Sequence, residues 1–350
     1  MNERSLIGGD YEIPSIDTSA LNDLEEMLNI EGTWTLNGRS AFYLILNDLK
    51  SKGVDHIHLP SFICDSLLQS VTYSGLSYSF YPINKYDLSA HPDPPPNSGV
   101  LLIHYFGHLN KSTKRIRAEI DKDLLIEDAT HAFLNSNFFQ ATSGGTIFFS
   151  VRKHCASALG AWSSVKLKLK NTNKEINEIA EKSIFARLAK WSYLKSNLRI
   201  DPKEEARYLK SFLEVEEFFN SSIHPFGIPD HANKVLCGIK WDEIIKKRRK
   251  NWKTLHSLIK NLCDSTYKKL DNDSVPLGYI INLKKRDYIR NKLAEKRIFA
   301  PIHWPLPNKV NGKFFPDSKK LSESILTLPI DHRYSKEHMH YIAEIMKKLI

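Results

Sequence analysis

A lysine and an aspartate, each closing an apolar run, are the residues in this chain whose types and spacing suggest chemistry. Residues 123–128, "DLLIED", run apolar into Glu127 and Asp128, and residues 145–153, "GTIFFSVRK", run apolar into Arg152 and Lys153. A primary amine at the edge of a site attacks carbonyl carbon and forms a Schiff base. A carboxylate at the end of a neighbouring strand can hold a proton on a heterocyclic nitrogen. These are the two partners that pyridoxal 5'-phosphate requires: the amine carries its aldehyde, and the acid keeps its ring nitrogen protonated so that the ring draws electrons. The phosphate needs backbone N–H groups at a helix N-terminus and a hydroxyl or two. "TLNGRSAFYLIL", residues 35–46, supplies Gly38 for close approach, Ser40 as a hydroxyl, and a helix that begins at once. Ser150, three residues before Lys153, is a second hydroxyl.

The elements that must position these residues alternate. "RSAFYLILNDLKSKG" has helical periodicity and stops at Gly53, "HIHLPSF" reads as a strand, "ICDSLLQSVTYSG" as a helix ending at Gly75, and "LSYSFYPI" as a strand. After the proline-rich "HPDPPPNSG" come the strand "VLLIHYFG", the helix "KSTKRIRAEIDK", and the strands "DLLIEDA" and "GTIFFSV". Strands alternating with helices, short and almost wholly apolar, predict a mostly parallel sheet covered on both faces. Ligands of such sheets bind beyond the carboxyl ends of the strands, which is where Asp128 and Lys153 fall. From residue 165 to about 260 the text turns into long charged helices. Beyond it, "VPLGYIINLKKRDYIRNKLAEKRIFAPIHWP" reads as strand, helix, strand, and "SILTLPIDHRYSKEHMHYIAEIMKKLI" as a strand and a final amphipathic helix capped by Ser335. The expected division is an N-terminal segment 1–29, a large α/β domain 30–245 and a small C-terminal α/β domain 246–350.

Composition narrows the class. Hydrophobic residues at 41% and charged residues at 26% describe an ordinary globular chain, not a disordered one. "MNERSLIGGDYEIP" has no apolar core of the secretory kind, and runs such as "SGVLLIHYFG" are too short to span a bilayer, so a cytoplasmic protein without a membrane partner is expected. Cys64, Cys155, Cys237 and Cys263 form no C-x-x-C pair and read as reduced thiols. The formal charge is +10, with basic runs "KSTKRIR", "KLKLKNTNK" and "IIKKRRKNWK" in helical text without interleaved aromatics. They read as solvated faces, and nucleic acid is not expected as a partner. His56-x-His58 follows strand alternation with no third ligand nearby, so no metal site is expected. Ser150-x-x-Lys153 also fits the serine–lysine motif of penicillin-binding enzymes, but the S-D-N and K-T-G strings which that chemistry needs do not occur.

Taken in order, "NGRSAFYLILNDLKSKGVDHIHLPSFICDSLLQSVTYSGLSYSFYPIN", "IEDATHAF", "FSVRKHCASALGAW" and "ILTLPIDHRYSKEHMHYIAEIM" resemble the DegT/DnrJ/StrS group of aminotransferases, over about residues 30–350. The resemblance implies a fold type I pyridoxal-phosphate enzyme and a homodimer. Its partners would be two small molecules: an amino donor, glutamate, and a keto-sugar, nucleotide-linked, in surface polysaccharide biosynthesis. It implies that Lys153 forms the Schiff base and moves protons, that Asp128 pairs with the ring nitrogen, and that His131 meets the ring's phenolic oxygen. Gly38, Arg39 and Ser40 match the phosphate loop, Phe62 the aromatic on the ring face, and Ser150 a phosphate contact. His303 and Trp304, in "APIHWPLP", fall before a substrate-facing loop.

The chain departs from the group at several points. Arg39 replaces a small hydroxyl residue, Phe148 stands where many members have serine, and the stretch after the lysine is reduced to "LGAW". "HPFGIPDHANKVL" occupies the region of the Gly-Tyr-Asn-x-Arg segment that enters the partner's site. Asp128 also reads as a helix cap, His131 as a half-buried core histidine, Phe62 as plain core, and His303-Trp304 as packing at the domain junction. The rival functions are another pyridoxal-phosphate reaction or a non-catalytic binding protein that keeps the fold. The group's dehydratases carry histidine at the lysine position, so Lys153 argues against those.

Overall fold

The computed structural model describes residues 6–14, 24–136, 138–139, 145–166, 168–196 and 200–350. Of the expected N-terminal segment, residues 1–5 and 15–23 therefore lie outside the described residues.

The chain opens with β1 (Ile7–Gly8) and α1 (Leu24–Leu28) and then builds the main sheet from β2 (Thr33–Thr35) onward. Helix α2 (Gly38–Ser51) starts where Asn37, in an extended conformation, accepts the N–H of Ser40 on its side chain. Then follow β3 (His56–Pro60), α3 (Asp65–Ser74), β4 (Ser77–Tyr81), β5 (Ser98–Ile103), α4 (Thr113–Glu119), β6 (Leu125–Asp128), β7 (Thr146–Ser150) and β8 (Ala161–Ser163). These strands form a seven-stranded sheet ordered β2-β8-β7-β6-β5-β3-β4. Neighbours from β7 to β4 pair in parallel, and β8 runs antiparallel to both β7 and β2. The expected mostly parallel sheet is present. Two of its strands, "TWT" and "AWS", are three residues long, too short for a period to be read.

The apolar strand text reflects burial on both faces. In β7, Phe148 stacks on Phe42 of α2 at 5.3 Å, while Phe149 turns to the other face and stacks on Phe133 at 4.4 Å. The Phe42 contact ties the N-terminal turns of α2 to the strand that leads to Lys153. Burying each ring contributes about 1.5–3 kcal/mol.

The helical text becomes α5 (Lys174–Lys195), α6 (Pro202–Ser221), α7 (Asp230–Cys237) and α8 (Trp241–Ile259). The expected boundary at 245 falls inside α8. Trp252, Leu255 and Ile259 of that helix share a core with residues beyond 279, so α8 packs with the C-terminal elements. These are β9 (Asp264–Ser265), β10 (Tyr279–Asn282), α9 (Arg286–Glu295), β11 (Ile298–Phe299), α10 (Pro316–Ser324), β12 (Ile325–Leu328) and α11 (Lys336–Leu349). β12-β10-β9 form an antiparallel sheet, and β11 pairs in parallel with β1. That last pairing brings the N-terminal segment onto the C-terminal elements. It needs Gly8, whose φ is +95° and whose added Cβ would lie 2.1 Å from the Phe299 carbonyl oxygen. Ser335 caps α11 as expected, in a reciprocal box with His338. Among the described residues, no helix is long and apolar enough to cross a membrane.

Candidate active site

A cavity of about 770 Å³ opens at the carboxyl ends of β6 and β7. β6 and β7 pair with Asp128 opposite Phe148, so the last residue of β6 lies beside the strand that leads into Lys153. A single 3-10 turn, Val151–Lys153, then lifts the chain off the sheet. Lys153 and Asp128 both line the cavity, together with Gly38, Arg39, His131, Ser150, His303 and Trp304.

Asp128 is 7% exposed, and its Oδ1 accepts the Thr130 N–H at 2.8 Å. Burial pushes its carboxyl above the ordinary value, outweighing the Thr130 hydrogen bond and the charges of His104 and Lys153. His131 packs against both Phe106 (5.5 Å) and Trp304 (5.2 Å), which stack on each other at 6.4 Å. Its Nδ1 accepts the Phe106 N–H at 3.4 Å, which assigns the ring proton to Nε2. Burial holds it well below the usual imidazole value, assisted by His303 and Lys153, so it is neutral. His303 bonds Thr327 Oγ1 through Nδ1 at 2.9 Å, and burial followed by the charge of Lys153 lowers it to about 3.

Two expected residues are placed elsewhere. The Ser40 hydroxyl donates to the His224 carbonyl at 2.7 Å and lies 3.2 Å from Asn37 Oδ1, inside the protein and away from the cavity. A helix turns its side chains by about a quarter circle per residue, so the residues before Ser40 face the cavity and Ser40 does not. Phe62 is core: it packs on Tyr105 at 5.7 Å and on Trp304 at 5.6 Å, and does not line the cavity. The chain leaves β3 at Pro60, so strand alternation no longer governs residue 62. Cys64, two residues on, lines the cavity instead.

The sequence reading missed the rest of the wall. The N-terminal segment crosses the cavity as Gly8, Gly9, Asp10 and Tyr11. Tyr11 donates to the backbone carbonyl of Lys153 at 3.3 Å and accepts from Arg248, which also bonds the His154 carbonyl at 3.2 Å. Arg333 holds the segment down, donating to the carbonyls of Gly9 and Asp10 and to Glu12 while paired with Asp331. Arg152, Arg187 and Glu216 close a further side. Arg152 sits beside Lys153 in sequence; the others come from far along the chain, and no local signal marks them.

The residues present fit pyridoxal phosphate. An amine opens into the cavity, a buried carboxylate stands beside it, and the first N–H groups of α2 precede any intrahelical bond. Arg39 Nη1 and Arg152 Nε are buried donors with no hydrogen-bond partner among the described residues, as an anion site would leave them.

Comparison with known proteins supports the resemblance over the C-terminal elements and in the fold. Residues 239–347 match the model of the DegT/DnrJ/EryC1/StrS aminotransferase family. That match covers the C-terminal elements and none of the residues around Lys153. No curated protein matches the chain in sequence. Among solved structures, the chain is similar to the sugar aminotransferase CalS13 from Micromonospora echinospora, at 12% identity and a TM-score of 0.68, covering 98% of this chain and 100% of that one. It is similar to the putative sugar aminotransferase Spr1654 from Streptococcus pneumoniae in its PLP form, at 14% identity and a TM-score of 0.68, covering 98% and 94%. A DegT DnrJ EryC1 StrS aminotransferase from Brucella abortus matches at 17% identity and a TM-score of 0.60, covering 93% and 88%. The fold is that of fold type I pyridoxal-phosphate aminotransferases, and the family matched by the C-terminal elements is one of aminotransferases.

Proposed function

We propose that this chain is a pyridoxal-phosphate-dependent aminotransferase that moves an amino group from glutamate to a keto-sugar. The observation that carries the reading is the meeting of Asp128, at the end of β6, and Lys153, on the turn that follows the adjacent parallel β7, in one cavity with the α2 N-terminus. When bound, pyridoxal phosphate supplies an electron sink for the carbon whose proton is moved. Lys153 Nζ would be the base and acid that moves that proton in each half-reaction. The Asp128 carboxylate holds a proton on the ring nitrogen; the burial that disfavours it alone strengthens its pairing with a cation. His131 would offer its Nε2–H to the phenolic oxygen. The N–H groups of Gly38 and Arg39 and the Ser150 hydroxyl receive the phosphate. Ser40 supports them through the helix cap, and Phe62 supports Trp304 from behind. His303 and Trp304 meet the sugar, and the Tyr11–Arg248 pair fixes the turn that carries Lys153.

The names of the similar structures support a sugar as acceptor. The nucleotide carrier, glutamate as donor, a role in surface polysaccharide biosynthesis and a homodimer rest on the family resemblance, while the cytoplasm rests on the character of the N-terminal text and the division into domains 30–245 and 246–350 on the order of elements.

The test is an absorption spectrum of the protein with added pyridoxal phosphate, before and after borohydride, on wild type and Lys153→Ala. The expected result is a near-visible band in wild type that borohydride fixes onto Lys153, and neither band nor transamination in the variant. Transamination retained by Lys153→Ala would sink the assignment. Absence of any band or adduct in wild type would mean that the fold serves binding alone.

A further inference from the structure

The guanidinium groups of Arg39, Arg152 and Arg187 come from three elements and meet on one wall of the cavity. Arg39 belongs to the first turn of α2, Arg152 to the turn that ends in Lys153, and Arg187 to α5. The charge of Arg152 acts on both of the others. A single carboxylate stands among them. Glu216 of α6 pairs with Arg152 in a short contact and reaches Arg39 at 3.9 Å. Asp10 of the crossing segment attracts Arg187 as well, but the repulsion of Arg152 outweighs it.

The cluster is under-neutralised and under-bonded. Arg187 is 3% exposed and spends Nη1 on the Ser183 carbonyl and hydroxyl. Its Nε, Arg39 Nη1 and Arg152 Nε are buried with no hydrogen-bond partner among the described residues. Burial and the repulsion of Arg152 lower Arg187 to about 10. Glu216 is the opposite case: first Arg152, against burial, and then Arg39 and Lys153 hold it down to about 2. A carboxylate carries one charge and two acceptor atoms. A phosphate monoester carries about two charges and three acceptor oxygens, which suits a fork of guanidiniums better. Glu216 is also half-exposed on a helix face, so it can swing out without leaving a buried charge.

We propose that Arg39, Arg152 and Arg187 form a seat for a phosphate monoester dianion, and that Glu216 is the resident counter-ion which the phosphate displaces. The seat rests on the function proposed above in one respect: the phosphate is the cofactor's own. Charge then does at this site what the Ser40 hydroxyl, turned into the protein, does not. Cofactor affinity is an exchange of one anion for another, weakened by the acid on α6.

The test titrates inorganic phosphate into the full-length protein by calorimetry, for wild type, Glu216→Gln, Arg152→Met and Arg187→Met. Removing the competing anion raises phosphate affinity about tenfold, while loss of either arginine lowers it at least about tenfold. Arginine variants can fail to fold, so Glu216→Gln decides: unchanged or weaker binding of phosphate overturns the seat, as does no binding by wild type. Pyridoxal phosphate bound beforehand is expected to abolish phosphate binding. Undiminished phosphate binding to the loaded protein overturns the assignment to the cofactor's phosphate. A seat that behaves as expected in a protein with no borohydride-fixed adduct on Lys153 would leave the seat and remove the aminotransferase. An adduct with Glu216→Gln indifferent to phosphate would do the reverse.

Discussion

Glu127 and Asp128 are consecutive residues of one strand, both acidic and both buried, and they face opposite sides of the sheet. Glu127 is closed. Its Oε1 accepts from Arg117 Nε at 2.9 Å, and its Oε2 accepts from Arg117 Nη2 at 3.0 Å and from His104 Nε2 at 2.8 Å. The Asn110 N–H donates to His104 Nδ1, which assigns the histidine proton to Nε2, aimed at the carboxylate. Burial pushes Glu127 up, but His104 and then Arg117 outweigh it and hold it below the usual range. Asp128 is open. Thr130 alone bonds its side chain among the described residues, and burial keeps it above its ordinary value. A carboxylate whose lone pairs are all used fixes a strand against a helix. One left short of partners at the mouth of a cavity is available to an incoming cation.

The largest effect should come from breaking the closed side. Glu127→Ala leaves Arg117 and His104 buried without their anion, and urea unfolding should show a loss of about 3–5 kcal/mol. Phe62→Ala should cost a similar amount, about 3–5 kcal/mol, as a cavity in the core. The borohydride-fixed adduct on Lys153 should nonetheless form in that variant. An adduct lost while the protein stays folded would return Phe62 to the ring face.

The buried histidines set the next effect. Burial lowers His108 and His332 to about 4 and His303 to about 3, and holds His131 and His154 well below 6.5. A histidine with a folded value below its unfolded one binds fewer protons when folded. Stability is then complete above the unfolded value near 6.5 and is lost as pH falls from there toward 3–4. Each such group contributes a slope of at most about 1.4 kcal/mol per pH unit, so the melting temperature should drop steadily between pH 6.5 and 4. A flat profile over that window would mean that these rings are charged in the folded protein. The smallest stability effect should be at the open side: Asp128→Asn removes a disfavoured buried charge and should change unfolding free energy by less than about 1 kcal/mol. The same variant should lose at least tenfold in pyridoxal-phosphate affinity, read from the near-visible band. A large destabilisation would make Asp128 a second Glu127.

Much of the frame was legible because its signals are local. The apolar run that closes on Asp128, the run "GTIFFSV" that leads to Lys153, the helix that begins at Gly38-Arg39, and Ser335 before the last helix are read within one turn or one strand, and each has its element. β2 and β8 escaped because three residues carry no period. Ser40 lies off the cavity wall because residue type says nothing of which way a helix side faces, and Phe62 packs in the core because alternation ends with the strand at Pro60.

What the sequence determined by itself is the placement of an acid and an amine at the carboxyl ends of neighbouring apolar strands. Chain periodicity and burial on both faces dictate that much. The tertiary structure alone decided what faces them. Tyr11 reaches the Lys153 carbonyl, Arg333 pins the crossing segment, and Arg187 and Glu216 meet Arg39 and Arg152 across separations of up to 180 residues or so. Those meetings follow from β1 pairing with β11 and from α5 and α6 sharing a core with Leu36, Ala158 and Leu159, and long-range packing of that kind leaves no period in the text.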